Sequence, residues 1–130
     1  MIDAIAAAVE QIESRGQWYA QSGCHRGVMQ VCTRWAKVAP SMLWIPEVNR
    51  REGKRLLLYW HRQANGDWSK ALAAYNCGWR GLQNRCGKAY ARRVLVLLSL
   101  AVLCACDPVE TPPAADTVTE TIDPYGDENE

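Results

Sequence analysis

The chain has 130 residues, which fits one domain with one modest hydrophobic core and excludes a multidomain architecture. An apolar fraction of 48% and six tryptophans exclude a wholly disordered protein. The net charge of +1 combines a body of +9 with a tail of −8 from residue 107 onward. A basic body suits a polyanionic partner such as the bacterial wall, nucleic acid or an anionic membrane, and the alternative is a basic face that is simply solvated.

The first third of the chain predicts two helices. Apolar residues at helical spacing predict a helix over 3–15, which Gly16 would end. Residues 16–26 are rich in turn formers and predict a loop or a small hairpin. A second helix is predicted over 27–38 from one apolar face. That face would hold Val28, Val31, Trp35 and Val38.

The rest of the body is also predicted to be helical. The remaining helices are predicted over 47–63, over 69–76 and from Lys88 onward. Pro40 and Pro46 bracket the loop before the first of them, a turn at 64–67 precedes the second, and Gly78 with Gly81 marks a loop after it. Five helices with short loops and few strand signals predict a mainly α domain.

The C-terminal part divides into an apolar segment over 94–106 and an acidic tail over 107–130. Thirteen helical residues would span roughly 20 Å, which is shorter than the roughly 30 Å core of a bilayer. The preceding Arg92-Arg93 pair and the cysteines at the end resemble a lipoprotein signal, although such signals normally sit at an N-terminus. We favour a last core helix over membrane association through 94–106, and we predict that the tail is disordered.

The cysteines leave the redox state open. The body contains Cys24, Cys32, Cys77 and Cys86, which allow three disulfide pairings. Disulfides would indicate an oxidising compartment, whereas free buried thiols are equally compatible with the sequence. Because no C-x-x-C pair occurs and His25 and His61 are not spaced as a ligand pair, a zinc site has little support.

Glu13 is the first candidate for chemistry, because it ends the first apolar helix. The helix dipole disfavours a negative charge at that end, and burial would add to the effect, so we expect a raised pKa for this carboxyl. A carboxyl that is protonated near neutral pH can act as a general acid. By itself, however, Glu13 would be read as an ordinary surface carboxylate.

Several short motifs accompany Glu13 in a characteristic order. They are Glu13-Ser14, Gly27-Val28-Met29-Gln30, Asn49-x-x-x-Gly53, Ala73-Ala74-Tyr75-Asn76-Cys77-Gly78 and Tyr90-Ala91-Arg92. In this order and spacing they resemble the soluble lytic transglycosylase family, the goose-type-lysozyme-like domain, whose pattern is Glu-Ser, Gly-Leu-Met-Gln, Ala-Tyr-Asn-Ala-Gly and a late Tyr-Val. The resemblance covers about residues 5–98, and we assign a catalytic domain to 1–98. Each motif is weak alone, whereas several in the correct order are fairly specific.

The resemblance implies a lysozyme-like domain in which Glu13 is the catalytic acid and base and Ser14 helps to orient it. The other positions it implies near the glycan are Met29, Gln30, Tyr75, Asn76 and Tyr90. Tyr75 is expected to hydrogen-bond the Glu13 carboxyl or the sugar, and Tyr90 is expected on the groove wall. Val28 and Cys77 depart from the family's Leu and Ala, which leaves the fine shape of the groove open.

The resemblance also implies a mechanism with one carboxylate. Glu13 would cleave the bond between N-acetylmuramic acid (MurNAc) and N-acetylglucosamine (GlcNAc) in peptidoglycan, forming a 1,6-anhydro ring without consuming water, a metal or an organic cofactor. A lysozyme-type hydrolase, in which Glu10 or Glu47 helps a water molecule, is the first alternative. A catalytically silent wall-binding protein is the second alternative.

The expected setting is the bacterial wall. We expect a monomer that binds peptidoglycan strands and no nucleic acid. The chain enters its first helix without a recognisable signal peptide. We therefore expect an enzyme that acts in the periplasm and is associated with a phage virion or exported by another route.

Overall fold

The computed structural model describes residues 1–104, and this part of the chain is mainly α-helical, as predicted. Its helices are α1 (Ile2–Glu13), α2 (Pro46–Gln63), α3 (Trp68–Cys77), α4 (Trp79–Leu82) and α5 (Lys88–Cys104). Three short strands form one antiparallel sheet in the order β1, β2 and β3, which are Gln21–Ser22, His25–Arg26 and Val31–Cys32. A single 3-10 helix occupies Pro40–Trp44 in the loop that leads into α2.

The helix predicted over 27–38 is wrong, because this segment turns back and forms β3. Gly27 has φ +76° and Gln30 has φ +50°, values that lie outside the right-handed helical region. β3 then pairs with β2, and a disulfide joins Cys24, in the turn between β1 and β2, to Cys32 of β3. The three strands and their turns, residues 21–32, are called the hairpin. The apolar spacing that predicted a helix instead reflects two buried strand residues and a turn.

The other helix predictions are confirmed, and local sequence explains where these helices begin and end. Pro46 stands at the first position of α2, where a missing N–H costs nothing. The Asp67 side chain caps α3 by accepting a hydrogen bond from the Lys70 amide at 3.1 Å. Gly78, with φ +67°, ends that helix. The predicted loop after it contains the short helix α4, and a second disulfide joins Cys77 to Cys86.

The core lies where α1, α2, α3 and α5 meet beneath the β-hairpin. α5 packs against both α1 and α3, and α2 packs against α3. The largest fully buried side chains are Ile5, Val9, Val28, Met29, Val31, Leu43, Asn49, Leu57, Leu72 and Val94. Burying an apolar side chain contributes about 1.5–3 kcal/mol, so the members of this set other than Asn49 are the main source of stability.

One buried amide connects α2 to the hairpin. Asn49 is fully buried, and its Oδ1 accepts a hydrogen bond from the Met29 amide at 2.8 Å. Its Nδ2 donates to the carbonyl oxygens of Arg26 at 2.6 Å and Leu43 at 2.8 Å. A Cβ at Gly27 would collide with this amide, so the backbone can pass here only as glycine. Asn49 therefore fixes the turn that presents Gln30.

The described part of the apolar segment, residues 94–104, begins inside the domain and continues outward along α5. Val94 is buried and Leu95, Leu97 and Leu98 are half-buried against the core, whereas the other apolar side chains of the later turns are exposed. The exposed members are Val96, Leu100, Val102 and Leu103. Within residues 1–104, no helix combines the length and the apolar character needed to cross a bilayer. The predicted tail over 107–130 lies outside the described residues.

Candidate active site

Glu13 is the last residue of α1, and its neighbour Ser14 attaches this helix end to the hairpin. The buried Ser14 hydroxyl donates to the Val28 carbonyl at 2.7 Å and accepts from the Gly16 amide at 3.1 Å. Ser14, which was expected to orient the Glu13 carboxyl, therefore acts on the backbone around that carboxyl. It holds the end of α1 against the segment that leads to Gln30.

The Glu13 side chain lines a small polar cavity of about 210 Å³. The cavity is bordered by Glu13, Ser22, His25, Gln30, Tyr75 and Asn76. Three separate parts of the chain meet here, namely the end of α1, the hairpin and the second half of α3. The structure therefore brings Gln30, Tyr75 and Asn76 together with the carboxyl, although they are far apart in sequence.

Burial raises the pKa of the Glu13 carboxyl above its ordinary value. The nearby Tyr90 hydroxyl and the charges of His25 and Arg93 lower this pKa and offset part of the increase. The net direction is upward, which favours the protonated form in the free protein. A carboxyl in this state can donate a proton to a bound substrate.

The two tyrosines differ from the expected arrangement. The Tyr75 hydroxyl donates to the Met29 carbonyl at 2.8 Å, so it holds the turn before Gln30 and is not bonded to Glu13. Tyr90 lies beside the carboxylate instead, and its hydroxyl is buried without a well-aligned partner among the described residues. Burial and the adjacent Glu13 charge raise the pKa of both hydroxyls, so both stay protonated. Tyr90 is thus the tyrosine that faces the acid.

The structure does not place Met29 beside the glycan, where the resemblance had implied it. Its side chain is fully buried and packs against Gly53 of α2, where a Cβ would overlap the Met29 sulfur. A thioether enclosed in this way contacts no glycan, so Met29 belongs to the core. Its backbone supplies the two hydrogen bonds to Asn49 and Tyr75 that were described above.

Gln30 faces the cavity in a left-handed backbone conformation. Its Nε2 donates to the carbonyl oxygens of Ala20 at 2.8 Å and Gly27 at 2.9 Å. These two bonds fix the Gln30 amide through its Nε2, and the Oε1 takes no part in them. An uncommon φ held by several hydrogen bonds is typical of residues that must present a side chain in one direction. Asn76 completes this side of the cavity and is exposed.

The other carboxylates of the described residues have partners or positions elsewhere. Glu10 forms a bidentate ion pair with Arg50 at 2.8 and 2.9 Å. Glu52 is buried and paired with Arg55, Asp3 is paired with Lys54, and Asp67 caps α3. Glu47 is exposed in the first turn of α2. Glu13 is thus the carboxylate that borders the cavity in residues 1–104.

One cluster near the cavity contains residue types that bind metals. The ligand atoms of Cys24, His25 and Cys32 lie within 4.8 Å of one another. The two sulfurs are joined in a disulfide, which has no thiolate to offer a metal ion. In this state the cluster is a covalent clamp on the hairpin.

Sequence reasoning missed two residues of this site. Ser22 and His25 border the cavity from the hairpin, a segment for which the sequence predicted a loop or hairpin without functional residues. His25 follows Cys24 directly and stands two residues before Gly27, which begins the Gly27-Val28-Met29-Gln30 motif. A polar residue beside a cysteine that closes a hairpin was the available signal for His25.

Comparison with protein families supports the resemblance. The model described as the transglycosylase SLT domain matches residues 2–95. No curated protein and no solved structure matches the chain. Because the match spans more than half of the chain, this protein belongs to the transglycosylase SLT domain family, whose activity is of the lytic transglycosylase type and is directed at peptidoglycan.

Proposed function

We propose that the protein cleaves the β-1,4 bond between MurNAc and GlcNAc and leaves a 1,6-anhydro ring on the MurNAc product. The observation that carries this proposal is a single carboxyl, Glu13, with a raised pKa at the edge of a polar cavity. No metal or organic cofactor takes part in the steps we assign. The family match supports the substrate class, and the cavity supports the residue.

The proposed reaction moves one proton out and one proton back. Glu13 donates its proton to the glycosidic oxygen, and the GlcNAc leaving group departs with that proton. The 2-acetamido oxygen of MurNAc stabilises the anomeric carbon as the bond breaks. Glu13, now ionised, removes the proton from the C6 hydroxyl of the same sugar, whose oxygen then closes the anhydro ring. No water is consumed, so the products are one water lighter than hydrolysis products.

Neighbouring groups support this double role of Glu13. Tyr90 presents a protonated hydroxyl beside the carboxyl, which favours the ionised form after proton donation. Gln30 and Asn76 offer amide groups at the cavity edge for the acetamido and hydroxyl groups of the sugar. Ser14 and Tyr75 keep the surrounding backbone in place.

The hydrolase alternative needs a second carboxylate to activate water. Retaining and inverting glycosidases keep two carboxyl groups roughly 5–9.5 Å apart across the substrate. Glu10 is neutralised by Arg50, and Glu47 is exposed on α2, so neither supports this alternative. The silent-protein alternative does not account for a half-buried Glu13 whose pKa is raised at the edge of a polar cavity. Delivery to the periplasm by a phage virion or another export route stays a prediction from the sequence.

Product mass tests the proposal. Purified peptidoglycan is digested, and the soluble fragments are analysed by mass spectrometry. We expect fragments with 1,6-anhydro-MurNAc ends, each one water lighter than the corresponding reducing fragment. Fragments with reducing MurNAc ends and no anhydro ends would contradict the lyase reaction and favour the hydrolase.

The pH profile of a Tyr90→Phe variant tests the electrostatic role assigned to this tyrosine. The hydroxyl lowers the Glu13 pKa, so its removal lets burial raise that pKa further. Because activity needs the protonated acid, kcat/KM falls as pH rises through the Glu13 pKa, and this basic limb should move to higher pH in the variant. An unchanged or acid-shifted limb would contradict the assignment. Thermal unfolding serves as the control for folding, since the lost hydroxyl has no aligned partner within residues 1–104.

A further inference from the structure

A second cavity of about 270 Å³ continues the groove away from Glu13. The two cavities share four lining residues, which are His25, Gln30, Tyr75 and Asn76. The far end of the second cavity is lined by Trp35, Trp60 and Arg34. Two adjoining cavities, one bordered by an acid and the other by aromatic rings, suit a chain-like ligand longer than one sugar.

Four aromatic rings form a cluster at this far end. The Trp60 ring is the centre, with ring-centroid distances of 6.3 Å to Trp35, 5.2 Å to Trp79 and 5.0 Å to Tyr59, all in edge-on geometry. Trp60 is buried, whereas Trp35 is 50% exposed although it borders the cavity. A half-exposed indole ring that packs against a buried tryptophan offers a flat apolar surface to a ligand.

The backbone that carries Trp35 is held firmly against α2. The buried carboxylate of Glu52 accepts from the Lys37 amide at 2.8 Å, and Arg55 donates to the Trp35 carbonyl at 2.6 Å. Glu52 and Arg55 are themselves paired at 2.9 Å. On the other side, the Trp35 amide bonds to the carbonyl of Cys32, whose sulfur closes the hairpin disulfide. The ion pair between Glu52 and Arg55 therefore fixes the turn that carries the Trp35 indole.

The chemistry of this end fits a sugar. Sugar rings combine an apolar C–H face with hydroxyl groups around the edge, so a flat ring and a few convergent polar groups satisfy both. Trp35 supplies the flat ring, while Asn76, His25 and Gln30 supply polar groups along the shared wall. None of the family motifs quoted above contains Trp35, Trp60 or Trp79.

We propose that Trp35, supported by Trp60, which in turn packs against Trp79, is a stacking platform for a sugar of the glycan strand beyond the one that Glu13 cleaves. The proposal rests on the proposed function for the identity of the strand, while the platform itself binds without chemistry. The platform gives the enzyme a preference for longer strands, because a fragment too short to reach Trp35 loses the stacking contact.

Binding and turnover are measured separately in the test. In a Glu13→Gln background, calorimetry measures the affinity of the full chain for a peptidoglycan tetrasaccharide without turnover. Adding Trp35→Ala should weaken binding by about tenfold, which matches the loss of one aromatic contact of about 1.4 kcal/mol. Trp35→Leu keeps apolar bulk against Trp60 and should lose a similar factor, because the flat ring is gone.

Trp18→Ala is the matched control. Trp18 is 54% exposed, almost the same as Trp35, but it lines neither cavity and packs against Tyr19. This variant should bind like its parent. Parent-like affinity in both Trp35 variants, or an equal loss in the Trp18 variant, would overturn the platform.

The two proposals fail in different ways. If the platform is wrong, the Glu13-intact enzyme still forms anhydro products while the Trp35 variants bind normally. If the lyase reaction is wrong, the anhydro products are missing while the Trp35 variants still bind the tetrasaccharide more weakly than the Trp18 variant does.

Discussion

Replacement of Glu13 by Gln is expected to reduce the release of soluble fragments from peptidoglycan by at least about 10³-fold. General acid and base catalysis is worth about 10²–10⁴-fold, and here one group is assigned both tasks. The amide has nearly the same shape, and it can neither donate the proton to the leaving group nor accept one from the C6 hydroxyl. The measurement is the initial rate of fragment release from purified walls, with thermal unfolding as the control for folding.

The stability of this variant should be equal to or higher than that of the parent at neutral pH. Burial raises the pKa of Glu13, so the ionised carboxyl is disfavoured in the folded state, and an uncharged amide removes that cost. In the parent, the contribution of this carboxyl to stability is full at low pH and is lost as pH rises through the raised pKa. Full activity of Glu13→Gln in the release of peptidoglycan fragments would contradict the assignment of Glu13 as catalytic acid and base.

Asn49→Ala is expected to have the largest effect on stability, a loss of about 3–5 kcal/mol in the free energy of unfolding. The substitution leaves the Met29 amide and the carbonyl oxygens of Arg26 and Leu43 buried without their partner. Each buried group left unpaired costs about 1–3 kcal/mol. Since small domains have only about 5–15 kcal/mol of stability, this loss removes a large share of it.

Urea denaturation measures this effect directly. Gln63→Ala is a suitable control, because Gln63 ends the same helix and is exposed. It should change the unfolding free energy by less than about 0.5 kcal/mol. A loss below about 1 kcal/mol in the Asn49 variant would contradict the view that this amide fixes the turn before Gln30.

Periodicity and capping signals predicted α2 and α3 well, because their apolar faces and end residues act locally. The segment 27–38 failed because its conformation depends on distant groups. Its apolar spacing is compatible with a helix, but the amide of Asn49 and the disulfide partner Cys24 hold it as a turn and a strand. Periodicity reports which side chains are buried and is ambiguous about backbone form in short apolar segments.

The candidate site could also be predicted only in part, because some of its features depend on tertiary packing. The motif order predicted that Glu13, Gln30, Tyr75 and Asn76 belong together, and they border one cavity. The direction of individual side chains could not be predicted, since it depends on tertiary packing. Met29 therefore turned out to be buried, and Tyr90 rather than Tyr75 faces the carboxyl.

Digestion of peptidoglycan in water enriched in ¹⁸O tests the one-carboxylate mechanism most directly. If Glu13 regains a proton from the C6 hydroxyl and the ring closes on that C6 oxygen, the new MurNAc ends carry no ¹⁸O. Incorporation of one ¹⁸O atom at each new end would mean that solvent attacks the anomeric carbon. That result would contradict the account given for the cavity around Glu13.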